Sequence, residues 1–172
     1  MYNVANMYHK GEGTEKDEGK ALQYYDIASE LGDYAAKFML ATILSSRDDA
    51  SAANVEKAIK LYTELANLGH PMAAFNLGTF YFSGKGVQQD VQSAIKLFEQ
   101  AAALGVEEAL VNLGNIYRTG FGVPVDLEKA AGFFRAGAEK NNEICKGLLQ
   151  EVERENLSAL HIGEKGERTL PL

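Results

Sequence analysis

This chain is poor in the residues that most protein chemistry needs. Among 172 residues there is one cysteine, Cys145, with three histidines, three prolines and no tryptophan. A single cysteine excludes an intramolecular disulfide and any zinc site built from cysteine pairs. The histidines, His9, His70 and His161, are not spaced as metal ligands or as a catalytic set. No apolar run approaches the roughly 20 residues that span a bilayer. The N-terminal MYNVANMYHK lacks the apolar core of a signal peptide. Basic residues are in the minority, 17 Lys and Arg against 24 Asp and Glu, for a net charge of -7. Such a balance offers no electrostatic footprint for nucleic acid and disfavours anionic membrane surfaces. The expectation is a chain without nucleic acid, membrane insertion, metal or cofactor.

What is present is a repeat. The stretch AAFNLGTFYFSGKGVQQDVQSAIKLFEQAAALG begins at Ala73, and ALVNLGNIYRTGFGVPVDLEKAAGFFRAGAEKN begins at Ala109. Ala73/Ala109, Leu77/Leu113, Gly78/Gly114, Tyr81/Tyr117, Gly84/Gly120, Gly86/Gly122, Asp90/Asp126, Ala94/Ala130 and Phe98/Phe134 are each 36 residues apart. A fixed period of this length marks stacked supersecondary units. Two further copies follow the same register. One carries Tyr8, Gly11, Gly13, Asp17, Ala21, Tyr25 and Gly32. The other carries Ala35, Met39, Ile43, Asn54, Ala58, Tyr62 and Gly69, with two extra residues in a loop that has lost both glycines.

Each copy predicts helix, glycine loop, helix, short turn. Ala73, Leu77 and Tyr81 fall at i, i+4 and i+8, one face of an α-helix. Gly84 and Gly86 suit positive φ. Asp17, Asn54, Asp90 and Asp126 stand where N-caps belong. Gly32, Gly69, Gly105 and Asn141 suit the left-handed residue that ends a helix, and Pro71 fits a first helical turn. Ala73, Gly78, Ala94 and Ala102 mark close helix approaches.

These residues resemble the Sel1-like repeat, a relative of the tetratricopeptide repeat, whose pattern runs A-x3-LG-x2-Y-x2-G-x-GV-x2-D-x2-KA-x2-WY-x2-AA-x2-G. Ala73 to Asn141 match nearly all of it, with Phe98 and Phe134 in the second aromatic place. Tyr24, Leu61, Leu97 and Phe133 stand where the family often has tryptophan. The resemblance implies an all-α solenoid of about four helix-turn-helix units, at about 1–32, 33–69, 70–105 and 106–141. A capping helix over 142–155 is expected to follow, with Cys145 as an inert core thiol in the alanine place. Residues 156–172 are expected to form a loosely ordered tail. Met1 falls inside a first helix without a polar cap, which suggests either a fragment of a longer array or a self-association surface.

The resemblance also implies that first helices line a concave face that binds a protein or peptide. In the third copy the face opposite the core comprises Met72, Phe75, Thr79 and Phe82. In the fourth it comprises Glu108, Val111, Asn115 and Arg118. Lys37, Ala41 and Leu44 are the expected counterparts in the second copy, and Asn6 with His9 in the first. Core positions repeat while these vary, as a scaffold with a specific surface would. The aromatic pair Phe75 and Phe82 is the expected anchor.

Catalytic readings have less support. Ser83-Gly84-Lys85-Gly86 lacks the GKS/T ending and preceding strand of a phosphate loop. Capping accounts for Asp90 and Asp126, and Asn156-Leu157-Ser158 is a glycosylation sequon relevant only to a lumenal chain. Some bacterial members of the resembled family are linked to β-lactam binding or hydrolysis. A non-catalytic adaptor is expected.

Overall fold

The computed structural model describes residues 1–46 and 51–166, with side chains described up to Ser158. Among these residues the fold is all-α. Its helices are α1 (Tyr2–Lys10), α2 (Glu18–Glu30), α3 (Tyr34–Ser46), α4 (Ala52–Asn67), α5 (Pro71–Ser83), α6 (Val91–Ala103), α7 (Glu107–Thr119), α8 (Leu127–Glu139) and α9 (Glu143–Gly166). They form two compact units, Met1–Asp90 and Val91–Leu172. In the first, α2 packs on α1 and α3, and α4 on α3 and α5. In the second, α7 packs on α6 and α8, and α9 covers α8 and part of α7. This is the all-α solenoid class expected of the repeat.

Helix ends follow the local chemistry of the sequence. The Asp17 and Asp126 carboxylates accept from the Lys20 and Lys129 backbone N–H at 2.9 and 2.8 Å, capping α2 and α8. The Asp17, Asp90 and Asp126 backbone N–H groups donate to the Tyr8, Tyr81 and Tyr117 carbonyls, closing each loop alike. Gly84 and Gly86 take φ of 73° and 74°, and a Cβ on Gly86 would strike Val55 Cγ1. The same pairing of positive φ and close approach recurs at Gly122 against Val91. Asn141 is the one described non-glycine residue with positive φ, 64°, at the repeat end where the other copies have glycine.

The core is a ladder of small residues and aromatics. Ala21, Ala58, Ala94 and Ala130 are wholly buried, and Tyr25, Tyr62, Phe98 and Phe134 are at most 1% exposed. Alanine allows neighbouring backbones to approach, and the rings fill the space between helices. The two tyrosines keep their hydroxyls paired. Tyr25 Oη donates to Asn6 Oδ1 at 2.6 Å, and Tyr62 Oη lies 3.1 Å from Thr42 Oγ1.

The second copy departs from its expected register by one residue. α3 and α5 are both 13 residues long, so Ala36, Leu40 and Leu44 correspond to Ala73, Leu77 and Tyr81. Ala36, Leu40 and Leu44 are buried, whereas Ala35 is exposed and Met39 half-buried. Of the expected ladder Ala35, Met39, Ile43 only Ile43 is buried; the buried row is shifted by one residue, which turns a helix by about 100°. α4 is likewise capped by Ser51, whose hydroxyl accepts from the Asn54 N–H at 3.2 Å, so Asn54 is inside the helix rather than its cap. Residues 47–50 of the expected glycine-free loop are outside the described residues.

At the other end α9 does not stop at Glu155 but continues to Gly166. Its polar stretch Glu151–Glu155 includes Val152, which is wholly buried against α8 with Cys145, Phe134 and Ala130. Of the expected tail, residues 167–172 are outside the described residues.

Candidate functional site

With the register of α3 corrected, equivalent positions on the first helices fall into columns. Tyr2, Asn6 and His9 on α1 correspond to Phe38, Thr42 and Ser45 on α3, and to Phe75, Thr79 and Phe82 on α5. In the second unit the same places are Val111, Asn115 and Arg118 on α7. Spacings of i, i+4 and i+7 put each trio on one helix face.

Phe75 and Phe82 are half-buried and Thr79 is exposed. Phe38 is half-buried, stacked on the His70 ring at 4.7 Å and edge-on to Tyr62 at 5.9 Å. His70 caps α5, its Nδ1 accepting the Ala73 N–H at 3.2 Å. A ring one position before Pro71 thus ties α3 to the start of α5.

Three expected surface residues are elsewhere. Leu44 is 7% exposed and Ala41 is wholly buried, so neither faces solvent. Lys37 is beside the buried Ala36, its ammonium 2.6 Å from Glu64 Oε2 on α4. It is turned toward the second helices and away from Phe38 and Ser45. Phe38, Thr42, Ser45 and Tyr2 occupy the equivalent helix positions and were not among the expected surface residues. The usable signal was the length of α3, not its hydrophobic period.

In the second unit the strip is engaged by the chain itself. Arg118 Nη2 and Nε bond Glu155 at 2.5 and 3.2 Å, and Nη1 is 2.9 Å from Glu151. The Glu155 hydrogen bond raises the Arg118 pKa, with Glu151 adding to it. Val111 packs half-buried against the cluster formed by α8 and α9. Asn115 is half-buried, and its carbonyl accepts from Thr119 Oγ1.

The remaining candidates behave as core or loop. Cys145 is wholly buried, its sulfur against Gly137, and burial pushes its thiol pKa up. His9 is half-buried, and among the described residues its Nδ1 has no hydrogen-bond partner. Lys85 of the Ser-Gly-Lys-Gly loop donates to the Ser45 carbonyl at 3.2 Å. The side chain of His161 is outside the described residues. Among the described residues no group of three or more His, Cys, Asp or Glu is placed to hold a metal. None of the described helices is long and apolar enough to cross a membrane.

Relatives share this architecture. A sel1-like repeat-containing protein of Acanthamoeba polyphaga mimivirus is 32% identical over 91 residues, which is 53% of this chain and 16% of the viral protein. A protective antigen of uropathogenic Escherichia coli with an SLR fold aligns at TM-score 0.77 and 33% identity, covering 90% of this chain and 33% of that one. A Sel1 repeat protein from Oxalobacter formigenes aligns at TM-score 0.77 and 27% identity, covering 87% and 61%. The chain therefore spans less than two thirds of each of these proteins. The Sel1 repeat model matches residues 1–33, 35–70, 71–106 and 107–142. With four consecutive matches over these helix pairs, the chain belongs to the Sel1 repeat family, whose modules generally mediate protein–protein interaction.

Proposed function

We propose that this chain is a non-catalytic adaptor that binds a protein or peptide on the outward strip of its first helices. The observation that carries this reading is the contrast between columns. Core positions hold Ala, Leu and aromatic residues in copy after copy, whereas the strip varies more: Phe38 and Phe75, and Thr42 and Thr79, repeat between the second and third copies, but the third column runs His9, Ser45, Phe82 and Arg118. In the first unit the strip carries Phe75, Thr79 and Phe82, joined by Phe38 and Ser45 in place of Lys37 and Leu44. In the second unit it carries Val111, Asn115 and Arg118. A half-buried aromatic pair on a rigid helix is suited to anchor a partner, because little side-chain entropy is lost on docking. The test is capture of partners from lysate by the wild-type chain and by the Phe75→Ala/Phe82→Ala double variant. Loss of capture with unchanged helicity supports the strip, and equal capture overturns it. Penicillin-type substrates should show no turnover, and turnover abolished by a single substitution would overturn the adaptor reading.

One observation favours homotypic assembly as a second reading. Val4 and Met7 of α1 are 37% and 41% exposed. Their counterparts Leu40, Leu77 and Leu113, and Ile43, Phe80 and Ile116, are all at most 8% exposed. The outer face of α1 is therefore built for burial. Light scattering over a concentration series, with Val4→Glu/Met7→Glu as control, checks it; a monomer at every concentration dismisses it.

A further inference from the structure

A groove of about 540 Å³ opens between α2, α3 and α4, within the first unit. Its size is that of a small-ligand site. Lys37, which was expected on the strip, lines it together with residues of the two second helices. Two ion pairs cross it. The Lys37 ammonium is 2.6 Å from Glu64 Oε2, and Lys57 on α4 donates to both carboxylate oxygens of Asp26 on α2 at 2.8 and 2.7 Å. Glu30, Glu56 and Lys60 also line the groove and have no ion pair among the described residues. The four carboxylates, Asp26, Glu30, Glu56 and Glu64, outnumber the three ammonium groups, Lys37, Lys57 and Lys60, by one.

Ser29 lines the same groove and is 7% exposed, the one buried polar side chain among the described residues. Its hydroxyl makes no hydrogen bond among them. The hydroxyls of Thr42, Ser45, Thr63 and Thr79 each donate to a carbonyl of their own helix. Burying a hydroxyl without such a partner is costly, and it leaves a donor and two lone pairs for whatever enters. Ser29 and Glu30 belong to the last turn of α2, which contains no basic residue. The C-terminal end of a helix carries partial negative charge, so Glu30 stands against the field of its own helix. Glu64, in the last turn of α4, has the same problem and is answered by Lys37. Nothing among the described residues answers Glu30.

From this we infer that the groove is a second binding site, which takes an arginine side chain of a partner peptide on Glu30 and the Ser29 hydroxyl. The excess carboxylate and the end of α2 both favour a cation. No three His, Cys, Asp or Glu side chains among the described residues are placed to hold a metal, so the cation is an organic one. A guanidinium suits it better than an ammonium. Its planar fork can give one edge to a carboxylate while another N–H meets the hydroxyl oxygen. Lys60 admits one such cation and repels a run of them. The site involves none of Phe75, Thr79 and Phe82, and it does not depend on what the strip binds.

The probe is the peptide acetyl-Gly-Ser-Arg-Ser-Gly amide, titrated into the isotope-labelled full chain and followed by amide chemical shifts. Control peptides carry citrulline, Lys or Glu in place of Arg. The Arg peptide is expected to give saturable shifts at Ser29, Glu30 and Lys60, and its Kd should rise by about threefold or more between about 0.05 and about 0.5 M NaCl. The citrulline peptide should bind at least about tenfold more weakly, the Lys peptide about threefold more weakly, and the Glu peptide not at all. Glu30→Gln should weaken the Arg peptide by about tenfold and Ser29→Ala by about threefold. Ser29→Ala should not lower the thermal midpoint, because the hydroxyl it removes has no hydrogen bond to lose. Lys60→Gln should tighten binding, and Phe75→Ala/Phe82→Ala should leave it unchanged. Circular dichroism confirms that each variant is folded. Absence of saturable shifts, equal binding of the citrulline or Lys peptide, or indifference to Glu30→Gln each overturns the inference. The adaptor reading is tested separately on the strip and survives any of these results.

Discussion

The first helices of the two units share one core register and differ in what they turn outward. In the first unit, α1, α3 and α5 bury Ala5, Ala36 with Leu40, and Ala73 with Leu77. In the strip positions they carry Tyr2, Asn6 and His9, then Phe38, Thr42 and Ser45, then Phe75, Thr79 and Phe82. In the second unit, α7 buries Ala109 and Leu113 in the same places, but its outward Arg118 is held by Glu151 and Glu155 of α9. One scaffold thus carries strip positions without Asp, Glu, Lys or Arg in the first unit and an arginine paired within the chain in the second. Core identity sets how helices stack, and that requirement says nothing about the opposite face.

If the scaffold is common to both units, its deepest positions should cost the same in each. Leu40→Ala and Leu113→Ala are each expected to lose about 2–5 kcal/mol, since both side chains are at most 2% exposed and leave a cavity. Denaturant unfolding of the two variants checks this, and a cost confined to one unit would break the equivalence. Next in size is a position where the copies differ. Gly114 faces the Phe134 ring so closely that a Cβ would overlap it. Gly114→Ala should therefore cost about 1–3 kcal/mol through overpacking. Its counterpart in α3 is already Ala41, wholly buried, where Ala→Gly should cost about 0.5–1 kcal/mol through backbone entropy.

Breaking the charged strip should have a smaller effect. Arg118→Gln is expected to cost about 1 kcal/mol or less, because Glu151 and Glu155 are substantially exposed and screened. The difference from wild type should shrink further in high salt. Smallest is the acid limb at Asp17. Its backbone hydrogen bond from Lys20 holds its carboxyl below the ordinary carboxylate range. A depressed folded pKa stabilises above the unfolded value and is lost as pH falls through the folded one. Asp17→Asn should leave neutral-pH helicity nearly unchanged and flatten stability below about pH 4, measured by acid titration followed by circular dichroism.

The repeat was legible in its third and fourth copies because their loop glycines, capping aspartates and leading alanines punctuate each helix. The second copy lacked those marks. In α3 nearly every residue from Phe38 to Leu44 is apolar or small, so a helical period fits at two rotations equally well. Hydrophobic periodicity locates a face only where polar residues contrast with it. That ambiguity moved Lys37, Ala41 and Leu44 onto the expected surface and hid Phe38, Thr42 and Ser45. Phe75, Thr79 and Phe82 kept their expected helix face because the copy around them was well punctuated.

The amino-acid sequence determined the helices, the Asp17 and Asp126 caps, the repeat and the family, because these depend on residue types at short, regular spacings. Only the tertiary structure decided the rotation of α3, the extension of α9 to Gly166 and the capture of Arg118 by Glu151 and Glu155. It also decided that Tyr25 and Tyr62 turn their hydroxyls to Asn6 and Thr42. Each of these is settled by a neighbour from another helix. Which face is buried, and which charge is already answered, depends on the company a side chain keeps and not on its place in the chain.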